Sequence, residues 1–154
     1  MSEKPAREEE APRSRELYTS RVIGAPREAI FGAFADPARL ARWWGPEGFT
    51  NTFQEFDLRP GGRWRLVMHG PDGRDYANES IFTEVAAPER VSLRHVSWPR
   101  FLLTITCEDK DGRTLVGWRQ TFDAEADFQK IAPVAVEANE QNLDRLAAVV
   151  SESR

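Results

Sequence analysis

At 154 residues, 40% hydrophobic and 30% charged, the chain is long enough to bury one core without a metal or disulfide staple. A net charge of -4 argues against the broad basic surface that a phosphate backbone requires, so nucleic acid is not an expected partner. A single cysteine, Cys107, excludes an internal disulfide and a cysteine-built metal site, and no apolar run is long enough to span a bilayer; a reducing, cytoplasmic setting without membrane insertion is expected.

Residues 1–14 are charged and proline-containing with almost no large apolar side chain, so ordering them would cost entropy without burial. They read as a flexible tail without a secretory signal, ahead of one domain over 15–152. The stretch RELYTSRVI at 15–23 alternates loosely and predicts a first strand, ended by Gly24. Pro26 suits the first turn of a helix that carries Ala29, Ile30, Ala33 and Phe34. Asp36 is placed to cap a second short helix beginning at Pro37, carrying Leu40, Trp43 and Trp44 and stopped by Gly45-Pro46.

Strand and turn signals then run without interruption. Strands are predicted at 51–58, 62–69, 75–86, 90–97, 100–109 and 113–122, separated by Pro- and Gly-containing turns short enough to favour antiparallel neighbours. Because Pro133 would break a helix interior, the last helix is predicted to begin near Ala132 and to reach Val150. Ala135, Leu143, Leu146 and Val150 form its apolar stripe, interrupted by Asn139 and Asn142. One long amphipathic helix must cover a long sheet, so the sheet should curve around it in an α+β, β-α-α-β6-α arrangement. A curved sheet cannot meet a straight helix everywhere, and the gap is a candidate small-molecule pocket.

Period-2 geometry puts Trp64, Leu66 and Met68 on the inner face of their strand, and Met68 can adapt to varied ligands. Tyr76 and Asn78 share a face with Ser80 and Phe82 that suits either a polar cavity or a solvated edge. His95, Phe101 and Trp118 are further wall candidates, and Asn139 and Asn142 would face the sheet from the helix. Trp43 and Trp44 point about 100° apart on a helix, so one should anchor it and the other border an entrance. Core packing is the ordinary role of each aromatic taken alone, and the set argues better for a pocket than its members. Two separated histidines supply no metal spacing, Cys107 has no evident base partner, and no nucleophile elbow or phosphate loop occurs. No metal, cofactor or catalytic residue is therefore assigned.

The stretch APREAIFGAFADPARLARWWGPEGF at 25–49 resembles the signature of the START-like (SRPBCC) superfamily, in the branch of the C-terminal domain of the activator of heat-shock protein 90 ATPase. RPGGRWRLVMHGPDGRDY at 59–76, APERV at 87–91 and LDRLAAVV at 143–150 match that branch in order and spacing. The resemblance implies the helix-grip fold, like that of the birch pollen allergen, with a cavity between sheet and last helix. Relatives usually carry Gly-Trp where this chain has Ala138 and Asn139, which implies a roomier or more polar pocket here.

The leading expectation is a binding domain for a small apolar or amphipathic molecule, oriented by Asn139 or Tyr76. A co-chaperone-like protein-interaction role is the first alternative. A cyclase-type enzyme using His95, Tyr76 or Glu79 is the second. The sequence is compatible with a chaperone partner and with a homodimer.

Overall fold

The computed structural model describes residues 15–152; the tail expected at 1–14 lies outside the described residues. After β1 (Glu16–Ile23), Pro26 stands immediately before α1 (Arg27–Ala35), where a missing N–H breaks no helical bond. Asp36 caps α2 (Pro37–Trp43) by accepting the Ala38 N–H at 3.0 Å. Six strands follow: β2 (Thr50–Phe56), β3 (Arg63–His69), β4 (Asp75–Ala86), β5 (Arg90–His95), β6 (Phe101–Lys110) and β7 (Arg113–Phe122). The chain closes with α3 (Glu125–Glu152). Strand bounds agree with those read from the turns to within a residue or two.

All seven strands form one antiparallel sheet in the order β1-β7-β6-β5-β4-β3-β2. The chain meanders from β2 to β7, and β1 then lies beside β7, so the first two strands occupy opposite edges with α1 and α2 bridging them. The result is the expected helix-grip architecture: a curved sheet folded around α3.

Two irregularities help the sheet bend. Register slips between Phe53 and Glu55 on β2 and between Phe82 and Glu84 on β4, leaving Gln54 and Thr83 as extra residues. Each bulge also switches which side chains point inward. Phe53 and Phe56 thus both pack on the core although three positions apart, and Val85 takes over from Phe82 on the inner face of β4.

The last helix corrects the reading of Pro133. It starts at Glu125, about two turns earlier than predicted, and runs through the proline. Pro133 is exposed, as is Gln129, whose carbonyl loses its helical partner and can bond water instead. The added turns have their own anchors. Phe128 packs on Phe122 with ring centroids 5.8 Å apart, Asp127 accepts the Trp98 indole N–H at 3.1 Å, and Glu125 and Asp127 suit the positive end of the helix dipole. Farther along, Leu143, Leu146 and Val150 are at most 1% exposed, each burial favouring the fold by about 1.5–3 kcal/mol.

Pro133→Ala should restore the missing helical bond at an exposed position and raise stability by about 1–2 kcal/mol, read as a higher urea midpoint. An unchanged or lower midpoint would show that the proline is accommodated without cost.

Candidate functional site

The interior divides into two halves. In one, Phe34, Trp43, Trp64, Phe56 and Phe82 pack ring against ring at centroid distances of 5.6–6.3 Å. Beside them, a void among Ile30, Phe34, Trp43, Cys107 and Leu146 measures only about 10 Å³. In the other half, sheet and helix part to leave a cavity of about 190 Å³. Two larger hollows, about 270 and 310 Å³, are grooves flanking α3 with five or six lining residues each.

The inner face of the sheet supplies most of the cavity wall: Trp64, Leu66 and Met68 from β3, Asn78 and Ser80 from β4, Leu93 and His95 from β5, Phe101 and Leu103 from β6, and Trp118 and Gln120 from β7. Ala138, Asn139 and Asn142 of α3 face them, and Trp44, Gly45 and Pro46 form the roof. Cross-strand register brings these side chains together, with Leu66 opposite Asn78, Ser80 opposite His95 and Leu103 opposite Gln120. Asn78 and Ser80 thus add polar groups to a largely apolar cavity, since β4 lies inside the sheet and not at its edge.

Two candidates named from the sequence stand apart. Trp43 is 1% exposed and donates its indole N–H to the Ala33 carbonyl at 2.9 Å, anchoring α2 to α1 on the packed side. Trp44 has left the helix with extended backbone angles, which lets the adjacent indole reach the cavity. Tyr76 shares the parity of Asn78 but lies where β4 emerges from the core; it is 42% exposed and packs on Phe49. Tyr76, Glu79 and His95 do not converge. Glu79 pairs with Arg63 at 3.3 Å across β3 and β4, and only His95 of the three lines the cavity.

Asn142 lines the cavity, yet both ends of its amide serve the roof. Its Oδ1 accepts the Gly45 N–H at 3.2 Å and its Nδ2 donates to the Trp43 carbonyl at 2.7 Å. Arg145, which composition did not distinguish from surface arginines, completes the attachment. Nη1 donates to the carbonyls of Trp44, Gly45 and Pro46, and Nη2 to those of Arg42 and Phe49, over 2.7–3.2 Å. Burial draws its pKa below the ordinary value, offset in part by Glu47, and the guanidinium remains the charged donor this cluster of carbonyls requires. Gly45 has φ 96°, and a Cβ there would lie 2.8 Å from the Met68 methyl, so both backbone and packing call for glycine.

His95 is the titratable group of the cavity. Its ring stacks on Phe101 at 4.5 Å and 9°. Nδ1 faces the Pro99 carbonyl at 2.6 Å, while Nε2 faces the Asn78 amide oxygen at 2.5 Å and the Ser97 hydroxyl at 3.3 Å. Donation to both carbonyl oxygens needs the imidazolium, and burial opposes that charge, lowering the pKa despite bonds at Pro99 and Ser97 that raise it. When the ring is neutral, Nδ1–H bonds Pro99 and Nε2 accepts from Ser97. The Asn78 amide then meets the ring by a half-turn that gives up its 3.1 Å bond to the Tyr76 carbonyl.

Asn139 donates to the Gln120 side-chain oxygen at 3.1 Å. The Gln120 amide nitrogen, the Asn139 amide oxygen and the Ser80 hydroxyl make no hydrogen bond to protein among the described residues. Cys107 is buried on the packed side, its thiol pushed up to about 11 by desolvation, which leaves it a poor nucleophile. Among the described residues no group of three or more His, Cys, Asp or Glu side chains could hold a metal ion, and no helix is long and apolar enough to cross a membrane.

Arg145→Ala should lower stability by about 2–3 kcal/mol, since several carbonyls lose a charged donor at once. Arg145→Lys should recover only part of this because an ammonium cannot reproduce the planar fork; urea midpoints of the two variants check both. The His95 sign is also fixed. Its folded pKa lies below the unfolded value of 6.5, so stability present above that value drains as pH falls from it toward the folded pKa. His95→Gln should flatten this slope, measured as the midpoint difference between about pH 7.5 and about pH 5.5.

The architecture has many solved counterparts. A solution structure of a protein from Arthrobacter aurescens is 25% identical, with a TM-score of 0.84 over 91% of this chain and 88% of that one. Protein Ms6760 from Mycobacterium smegmatis is 26% identical, with a TM-score of 0.82 over 93% and 95%. An AHSA1-like protein from Aeromonas hydrophila is 26% identical, with a TM-score of 0.67 over 89% and 94%. No curated protein matches at a significant level. The family model described as activator of Hsp90 ATPase homolog 1-like protein matches residues 24–151. With that model spanning both short helices, the six-strand meander and the closing helix, the chain belongs to the activator of Hsp90 ATPase homolog 1-like family, within the START-like fold.

Proposed function

We propose that the domain binds a small apolar or amphipathic molecule in the cavity between sheet and α3. The observation that carries this reading is the hollow itself. About 190 Å³ adjoins a packed side whose own void measures about 10 Å³, and its wall joins three indoles and a phenyl ring to polar groups without protein partners among the described residues. Apolar area would supply affinity, and the polar groups orientation. Asn139 leaves open a position that an indole could fill. The single cysteine, buried and unpaired, suits a reducing, cytoplasmic setting.

Amide NMR during titration with phenols, fused aromatic rings and fatty acids should shift resonances of residues 44–46, 78–80, 93–103 and 138–142 together. Asn139→Trp should fill the space, abolish those shifts and leave the sheet resonances in place. Shifts that survive the substitution, or that never reach these segments, would remove the cavity as the binding site.

Docking to an Hsp90-type chaperone is a second reading, motivated by the family description. Pull-down with a purified chaperone, with its ATPase rate as readout, decides it; neither binding nor a rate change would dismiss it.

A further inference from the structure

We infer that the ligand is an uncharged aromatic of one ring or two fused rings bearing a hydrogen-bonding substituent, and that the site discriminates against carboxylates. This rests on the binding role proposed above and narrows it to a chemical class.

Size sets the first limit. At about 30 Å³ per water, the 190 Å³ cavity holds about six waters. An engineered cavity of roughly 150 Å³ in another protein takes up benzene, so a substituted single ring fits and two fused rings approach the limit. A long acyl chain would have to project through the mouth.

Wall shape sets the second. Trp44 lies 4.8 Å from Trp64 and 5.6 Å from Trp118 by ring centroids, making a continuous indole surface. The stacked His95–Phe101 pair adds another planar element. Flat π surfaces of this kind favour planar guests through offset or edge contacts.

Charge sets the third. No lining residue is Asp, Glu, Lys or Arg. A carboxylate entering would lose its hydration with no cation to compensate. His95 does not offer a ready cation, because its nitrogens face Pro99, Asn78 and Ser97 and burial disfavours its charge. Neutral groups are well provided for: Ser80 can donate or accept, the Gln120 amide nitrogen donates and the Asn139 amide oxygen accepts. A purely apolar guest would displace water from these groups and leave them unpaired, so a hydrogen-bonding substituent is favoured over its hydrocarbon counterpart.

The full chain should be titrated calorimetrically at about pH 8, where His95 is neutral, with five probes of similar size: benzamide, benzyl alcohol, toluene, benzoate and benzylamine. Benzamide and benzyl alcohol should bind at least about tenfold more tightly than benzoate and benzylammonium, and several-fold more tightly than toluene. Ser80→Ala combined with Gln120→Leu should narrow the gap between benzamide and toluene, with far-UV dichroism confirming the fold. Benzoate or benzylammonium binding as well as the neutral amide, or toluene matching it, would overturn the inference while leaving the cavity a binding site. Binding of fatty acids with none of the five probes would overturn the chemical class alone. Silence from every probe and from fatty acids would overturn the class and the binding role together.

Discussion

One stretch of α3, residues 140–145, holds both edges of the sheet. On one side Arg21 of β1 reaches Glu140 at 2.9 Å and Asp144 at 2.5 Å. On the other, Asn142 and Arg145 gather the backbone between α2 and β2, with Asn51 of β2 adding bonds at 2.9 Å to the carbonyls of Ala41 and Trp44. That backbone has few regular partners of its own, and buried peptide groups without partners are costly. Tethering it to the helix keeps Trp44, Gly45 and Pro46 arched over the cavity and not collapsed into it. The hollow therefore depends on polar bonds made outside it.

This division of labour explains why an interior so rich in aromatic rings is not solid throughout. Where α1 and α2 reach the sheet, Phe34 and Trp43 fill the gap and almost no void remains. Beyond Trp44 no element is left to fill the space, and α3 presents Ala138 and Asn139, too small to cross it. The hydrogen-bonded Asn139–Gln120 pair stands at this point in place of a larger side chain, and the space beside it stays open.

Local chemistry made much of the fold legible from the sequence. The Asp36-Pro37 cap, the Pro- and Gly-bearing turns and the alternation of Trp64 and Leu66 with Arg63 and Arg65 each act within a few residues, and each places its element correctly. Effects set by distant contacts were not legible. The bulges at Gln54 and Thr83 reverse facing without changing composition. The first turns of α3 are secured by Trp98, remote in sequence, together with the nearby Phe122, which outweighs the local objection of Pro133. At the site, parity alone grouped Tyr76 with Asn78, but position along the strand decides which of them meets the cavity. Arg145 carries no mark in the sequence that distinguishes it from an arginine in solvent.

The indoles have an optical consequence. Trp43, Trp44, Trp64 and Trp118 form one cluster, with neighbouring centroids 4.8–6.4 Å apart, while Trp98 is 58% exposed at the surface. Four of the five such chromophores therefore share a single asymmetric environment, and three of them border the cavity. Their near-ultraviolet dichroism is a signature of fixed tertiary packing that vanishes if the interior loosens while helices and strands persist. The fifth, standing apart, is the natural one to replace when that signature is to be read without a solvent-facing contribution.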